Sequence, residues 1–173
     1  MNLASETRIR LAALGDEAVL AALSADVHEL HVSQRPDVFK PIDGPGLERW
    51  FRDKLTSGEA KIWIAHIGGT PVGYALAMKQ HRVENVFCYE RRWYEVDQVG
   101  VHPQYRRRGV GRRLFEHVVE FARADGVPDI ELNTWTFNDL ARASFERLGF
   151  VASNVRLERS AEPGSRERRP ARR

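Results

Sequence analysis

The run Arg106-Arg107-Arg108-Gly109-Val110-Gly111 separates two segments of different periodicity, and that change of period constrains the fold more than any other feature. Before it, Trp93–Val101 reads as a long strand, stopped by Pro103. After it, Leu114, Phe115, Val118, Val119 and Ala122 recur at helical spacing until Gly126 and Pro128. Ile130, Leu132 and Thr134 then alternate as another strand. A strand–loop–helix–strand unit over Trp93–Thr134 needs a right-handed crossover if its strands are parallel.

The flanking segments complete an α+β pattern. Thr7–Ala13 predicts a short strand with Ile9 and Leu11 on one face. Asp16 predicts an N-cap, and Val19, Leu20, Leu23, Val27 and Leu30 a helix that fades before Pro36. Pro36, Pro41, Gly44, Pro45 and Gly46 mark a loop. Leu47, Trp50, Phe51 and Leu55 suggest a second helix. Ile62–Ile67, the Gly68-Gly69-Thr70 turn and Val72–Met78 read as a β-hairpin. Residues 81–92 read as a polar surface loop. Asn138 or Asp139 caps a last helix carrying Leu140, Ala141, Phe145 and Leu148, with Gly149 at C′. Phe150-Val151 and Val155–Arg159 read as terminal strand material. The expected architecture is a mixed central β-sheet flanked by about four α-helices, in one domain over residues 1–160.

Length and charge narrow the function classes. A chain of 173 residues fits one domain. The net charge of +3 resides in residues 161–173, where five arginines face two glutamates, so residues 1–160 are formally neutral. This basic tail lacks apolar periodicity and is expected to be disordered and solvated. A weak nucleic-acid contact is its sharper reading, and the chain as a whole is not expected to bind nucleic acid. No apolar run approaches membrane-spanning length, and Met1–Glu6 lacks a signal-peptide layout. The single cysteine, Cys88, excludes an intramolecular disulfide framework and a cysteine zinc cluster. These features favour a reducing, cytoplasmic setting. His28 and His31 share a helix face but have no third ligand nearby, so no metal site is expected.

The glycine run suits an anion. Glycines permit tight turns and close backbone approach. The first N–H groups of a helix have no internal partner, and with the dipole they favour a group such as a pyrophosphate. Arg107, Arg108, Arg112 and Arg113 add positive charge. Two familiar phosphate loops do not fit: a P-loop ends in Gly-Lys-Ser/Thr where this run has Gly111-Arg112-Arg113, and a dinucleotide fold needs a small residue where Leu114 stands.

The stretch Val99–Leu114 resembles the GNAT superfamily of acyl-CoA-dependent N-acyltransferases. The likeness continues through Asn138-x-x-Ala141 to Gly149-Phe150 and includes the hairpin Gly68–Tyr74. The resemblance implies that backbone amides from Arg106 through Arg107, Arg108, Gly109 and Val110 to Gly111 bind the pyrophosphate of acetyl-CoA. Arg106 and Arg108 assist, with Arg112 beside them. Val99, Gly100 and Val101 would pair with the pantetheine arm, one N–H polarising the thioester carbonyl. Asn138 would reach the cofactor from the last helix. Phe145 falls where many members carry a tyrosine that protonates the thiolate, and Phe145 cannot donate a proton; the adjacent Ser144 has a hydroxyl of shorter reach.

Acyl transfer to a primary amine needs a base. Asp97 is the first candidate, at a position where many members carry a carboxylate. Glu95 is the second, two residues back on the same face of a regular strand; Glu84 and Glu90 are further options. The acceptor class is a small-molecule or peptide amine, with His28, His31, Phe39 and the 81–92 loop at its entrance. A homodimer stays open. The competing readings are a non-catalytic acyl-CoA binder of the same fold and a nucleic-acid module, the latter lacking interleaved aromatic and basic residues.

Overall fold

The computed structural model describes residues 7–159 and 161. The elements are β1 (Arg8–Leu11), α1 (Glu17–Gln34), α2 (Gly44–Ser57), β2 (Ala60–Ile67), β3 (Thr70–Arg82), β4 (Arg91–Val101), α3 (Val110–Ala124), β5 (Ile130–Leu132) and α4 (Asp139–Arg147), with a 3₁₀ turn at Pro103–Tyr105. The fold is thus α+β, with four helices and a five-stranded mixed sheet among the described residues. The described residues divide into two compact units. One holds the chain through Glu29 and Pro41–Asn133; the other holds Leu30–Lys40 and the chain from Thr134.

In the first unit the sheet runs β1-β2-β3-β4-β5. Neighbours are antiparallel except β4 and β5, which are parallel. β2 and the Val72–Ala77 part of β3 are buried almost continuously because both faces are covered. Leu20, Leu23 and Phe51 of α1 and α2 pack on Ile62, Ile64, Tyr74 and Leu76. On the other face Trp63 and Tyr94 meet Phe121 of α3 at ring-centroid distances of 5.1 and 5.7 Å. Such burial removes apolar surface at about 25 cal/mol per Å².

β4 carries an irregularity that simple alternation misses. Its register on β3 passes from Leu76↔Gln98 to Ala77↔Val96, leaving Asp97 as an extra residue. This is a β-bulge, and it shifts the phase of the strand. Tyr94 and Val96 face α3 before it; Val99 and Val101 do so after it. Glu95, Gln98 and Gly100 take the face under α1 and α2.

Several boundaries differ from the sequence reading. α2 starts at Gly44, with Pro45 in its first turn, where a missing N–H costs no hydrogen bond. β3 continues to Arg82 and β4 begins at Arg91, so the expected 81–92 loop shrinks to residues 83–90 at the tip of an extended hairpin. Leu11, expected on one face with Ile9, is exposed. Phe150–Arg159 forms no strand: Val151, Val155 and Leu157 are exposed, and alternation alone supplies no paired edge. Residues 162–173 of the basic tail lie outside the described residues. No described helix is long and apolar enough to cross a membrane.

Two glycines of the sequence motifs differ in what holds them. A Cβ on Gly100 would lie 2.6 Å from Tyr74 Cε1 and 3.1 Å from the Leu23 carbonyl oxygen. A Cβ on Gly111 would meet nothing nearer than Val101 Cγ2 at 3.7 Å. Gly100→Ala is therefore expected to destabilise by about 1–3 kcal/mol, whereas Gly111→Ala should leave stability within about 1 kcal/mol. Urea unfolding of both variants checks the contrast.

Candidate functional site

The end of β4 offers a free main-chain edge. Pairing with β5 covers only Tyr94, Glu95 and Val96. His102 N–H donates to the Val72 carbonyl at 2.9 Å. Antiparallel pairing alternates, so Gly100 also turns toward β3, while Val99 and Val101 turn their N–H and C=O groups outward. The outward Val101 carbonyl accepts from Arg106 Nε at 2.9 Å, which ties the loop to the strand end.

The loop then tightens into a helix start. Tyr105 N–H donates to the His102 carbonyl at 2.8 Å. Arg107 and Gly109 both adopt left-handed backbone, with φ of 59° and 85°. Gly109 is the N-cap of α3 and has no side chain to cap it. The first backbone bond into the helix is Arg113 N–H to the Gly109 carbonyl at 3.0 Å, so the amides of Val110, Gly111 and Arg112 stand before the intrahelical ladder. Glu116 neutralises Arg112 and Arg113 at 2.7 and 3.6 Å. The Arg108 guanidinium lies over the Tyr105 ring, 5.8 Å from its centroid. The Arg106–Arg112 run is thus continuous from the strand end into the first turn of α3, with three amides outside the helical ladder. The space beside Gly111 is not demanded by the fold, which fits close approach of a ligand.

The carboxylates divide by environment. Asp97 sits on the bulge, exposed in area, yet burial of its carboxyl pushes its pKa above the ordinary aspartate value; the Lys54 charge pulls it the other way. Beside it, Tyr74 Oη donates to Gln98 Oε1 at 2.9 Å, and Ser24 Oγ donates to the Ala21 carbonyl at 3.0 Å. Burial, then the Asp97 charge, pushes the Tyr74 hydroxyl far up, so it stays protonated. Glu95 accepts from Asn133 Nδ2 at 2.9 Å. Glu90 is held below the usual carboxylate range by His81 and Arg92, each at 2.9 Å, which makes it a weak base. Tyr74, Gln98 and Lys54 escaped the sequence reading. The adjacent polar pair Asp97-Gln98, breaking an otherwise alternating strand, was the available signal for the bulge.

In the second unit Asn138 Oδ1 caps α4, accepting from Ala141 N–H at 3.2 Å. The Phe145 ring packs edge-on against Phe150 at 6.1 Å. Ser144 Oγ donates to the Leu140 carbonyl at 2.8 Å, which commits the proton that a general acid would give. His31, Phe39, Trp135 and Phe137 form an aromatic group, and Arg35 lies 4.9 Å from the Trp135 centroid.

A family model described as the acetyltransferase (GNAT) family matches residues 24–150. N-alpha-acetyltransferase RimI of Mycobacterium tuberculosis is 37% identical over 114 residues, 66% of this chain and 66% of that one. The chain therefore spans just under two thirds of that relative's length. A tetramutant of the BH1408 protein of Bacillus halodurans superposes with a TM-score of 0.83 at 24% identity, covering 88% of this chain and 99% of that one. A predicted acetyltransferase with acetyl-CoA from Clostridium acetobutylicum gives a TM-score of 0.67 at 19% identity, covering 89% and 96%.

The raised Asp97 pKa fixes the sign of its contribution to stability. Ionisation is harder in the fold than in the unfolded chain, so the ionised carboxylate costs stability at neutral pH. That cost fades as pH falls through the folded pKa, and it is gone below about pH 4, the unfolded value. Asp97→Asn is expected to raise Tm modestly at pH 7 and to leave it unchanged at pH 3.5. Calorimetric scans at both pH values check this.

Proposed function

The chain belongs to the GNAT acetyltransferase family, and on that premise we propose that it moves an acetyl group from acetyl-CoA directly to a primary amine of a small molecule or peptide, with Asp97 as general base. The observation that carries the reading is the cradle at the start of α3: uncapped amides, flanking arginines, and a glycine whose missing side chain the fold does not require. A pyrophosphate fits such a helix start. The family match runs through both units, which supports one acetyltransferase domain over residues 1–160. The relative's description as an N-alpha-acetyltransferase supports an α-amine of a protein or peptide as acceptor.

Each group then has a task. The amides of the Arg106–Gly111 loop, with Arg106, Arg107, Arg108 and Arg112, hold the pyrophosphate. The outward edge of Val99–Val101 pairs with the pantetheine arm, and an N–H there stabilises charge developing on the thioester oxygen. Asn138 retains its amide nitrogen for the cofactor, and Phe145 lines it. Asp97 removes the ammonium proton, assisted by its raised pKa, and Glu95 is the reserve base. The amine nitrogen bonds the acetyl carbon as the carbon–sulfur bond breaks, and water protonates the leaving thiolate. The committed Ser144 hydroxyl and the proton-less Phe145 favour a second reading, a non-catalytic acyl-CoA binder.

Thiol release from acetyl-CoA with a panel of amines and N-terminal peptides, with product masses, separates the two readings. Gly111→Asp places a carboxylate in the anion site and should weaken CoA binding more than about tenfold by calorimetry. Unchanged affinity would remove the cradle. Asp97→Asn should lower turnover about 10²–10⁴-fold, leave CoA affinity intact, and recover partly as pH rises. Full activity at pH 7 would move the role of base to Glu95 or to a carboxylate of the β3–β4 loop.

A further inference from the structure

The face of β4 turned to α1 and α2 carries an amide whose direction the core fixes. Tyr74 is buried, 1% exposed, with its ring against the Gly100 backbone. Its hydroxyl proton needs an acceptor, and Gln98 Oε1 takes it at 2.9 Å. A carboxamide is planar, so holding its oxygen also aims its nitrogen. That nitrogen, Nε2, carries two N–H donors, and neither meets a protein acceptor among the described residues. The polar groups around it are engaged elsewhere: Glu95 accepts from Asn133, and Ser24 Oγ donates to the Ala21 carbonyl. Gln98 is half-buried, and Nε2 is not sealed from solvent.

The neighbour of this amide is the carboxylate of the bulge. Asp97 is the extra residue that precedes Gln98 in the ladder, and consecutive Cα atoms lie about 3.8 Å apart. The Asp97 charge acts on the Tyr74 hydroxyl, so the carboxylate is within electrostatic reach of the point where Tyr74 meets Gln98. A carboxylate and a pair of N–H donors on adjacent residues suit a molecule whose amine and carbonyl oxygen are separated by one carbon. The first residue of a peptide has that chemistry. A free amino acid offers a second carboxylate instead, which the Asp97 charge opposes. A side-chain amine has no carbonyl next to it and leaves both donors without an acceptor.

We propose that Gln98 determines specificity for the acceptor: its N–H groups, aimed by Tyr74 as a positioning residue, donate to the carbonyl oxygen beside the α-amine of a peptide while Asp97 faces the amine nitrogen. The inference rests on the acetyl transfer proposed above and narrows its acceptor to an amino-terminal residue.

Steady-state kinetics on trialanine amide and on its analogue with a trans-alkene in place of the first amide test this. The expected result is a KM about tenfold lower for the peptide than for the alkene. Gln98→Glu keeps an oxygen for Tyr74 and removes the donors; Gln98→Met removes both. Each should bring the peptide-to-alkene preference close to one by raising KM for the peptide. Tyr74→Phe should weaken the preference with Gln98 in place. A merely structural role would lower rates on both acceptors alike and leave their ratio unmoved. A wild type that does not distinguish the two, or Gln98 variants that keep the preference, would overturn the proposal. So would acetylation of carbonyl-free amines but not of trialanine amide. No product from any amine, with CoA still bound, would instead overturn acetyl transfer itself and this recognition with it.

Discussion

The seating of α1 on β4 at Gly100 is the contact on which the first unit turns. The Leu23 carbonyl and the Tyr74 ring come so close to the Gly100 backbone that no side chain fits between them. Because Tyr74 is fixed there, its hydroxyl reaches Gln98, and the bulged strand is pinned at the residue after Asp97. The inner edge of β4 is therefore engaged with β3 while its outer edge at Val99–Val101 has no strand beside it among the described residues. This strand end and, eight residues on, the uncapped start of α3 are the two features on which the proposed binding of an extended, phosphorylated ligand rests.

Charge in this region is arranged rather than merely accumulated. Positive side chains at a helix N-terminus oppose the dipole. Glu116, one turn into α3, absorbs the two arginines inside the helix. Arg106 spends its Nε on the Val101 carbonyl, and Arg108 lies over Tyr105. Under the proposed function, an anion at the helix start would meet the free amides and these arginines together.

The architecture was legible because it is written in local periodicity. The strand–loop–helix–strand unit around Arg106–Gly111, the Gly68-Gly69 hairpin and the Asn138 cap all follow from spacing and turn chemistry. What escaped depends on partners distant in sequence. The long β3–β4 arm reads as a polar loop because its faces carry charges paired across strands, such as His81 with Glu90. The terminal segment has the alternation of a strand and no strand pairing among the described residues. At the site, the uncapped start of α3 at Gly109 followed from the motif, while the Tyr74–Gln98 bond joins residues 24 apart and left no local trace.

The bulge also makes residue 97 a matter of parity. A strand is a two-colour sequence, and the bulge takes up one added residue so that the colours on either side of it stay in step with β3. Delete position 97 and Val96 would be followed at once by Gln98, so Val99 and Val101 would keep the face toward α3 and Gly100 its place against Leu23 and Tyr74. What would vanish is the carboxyl and the local bend that carries it. Residue 97 is an addition that the sheet accommodates without depending on it, so the acidity there can be gained, retuned or lost while the far end of the strand stays in place.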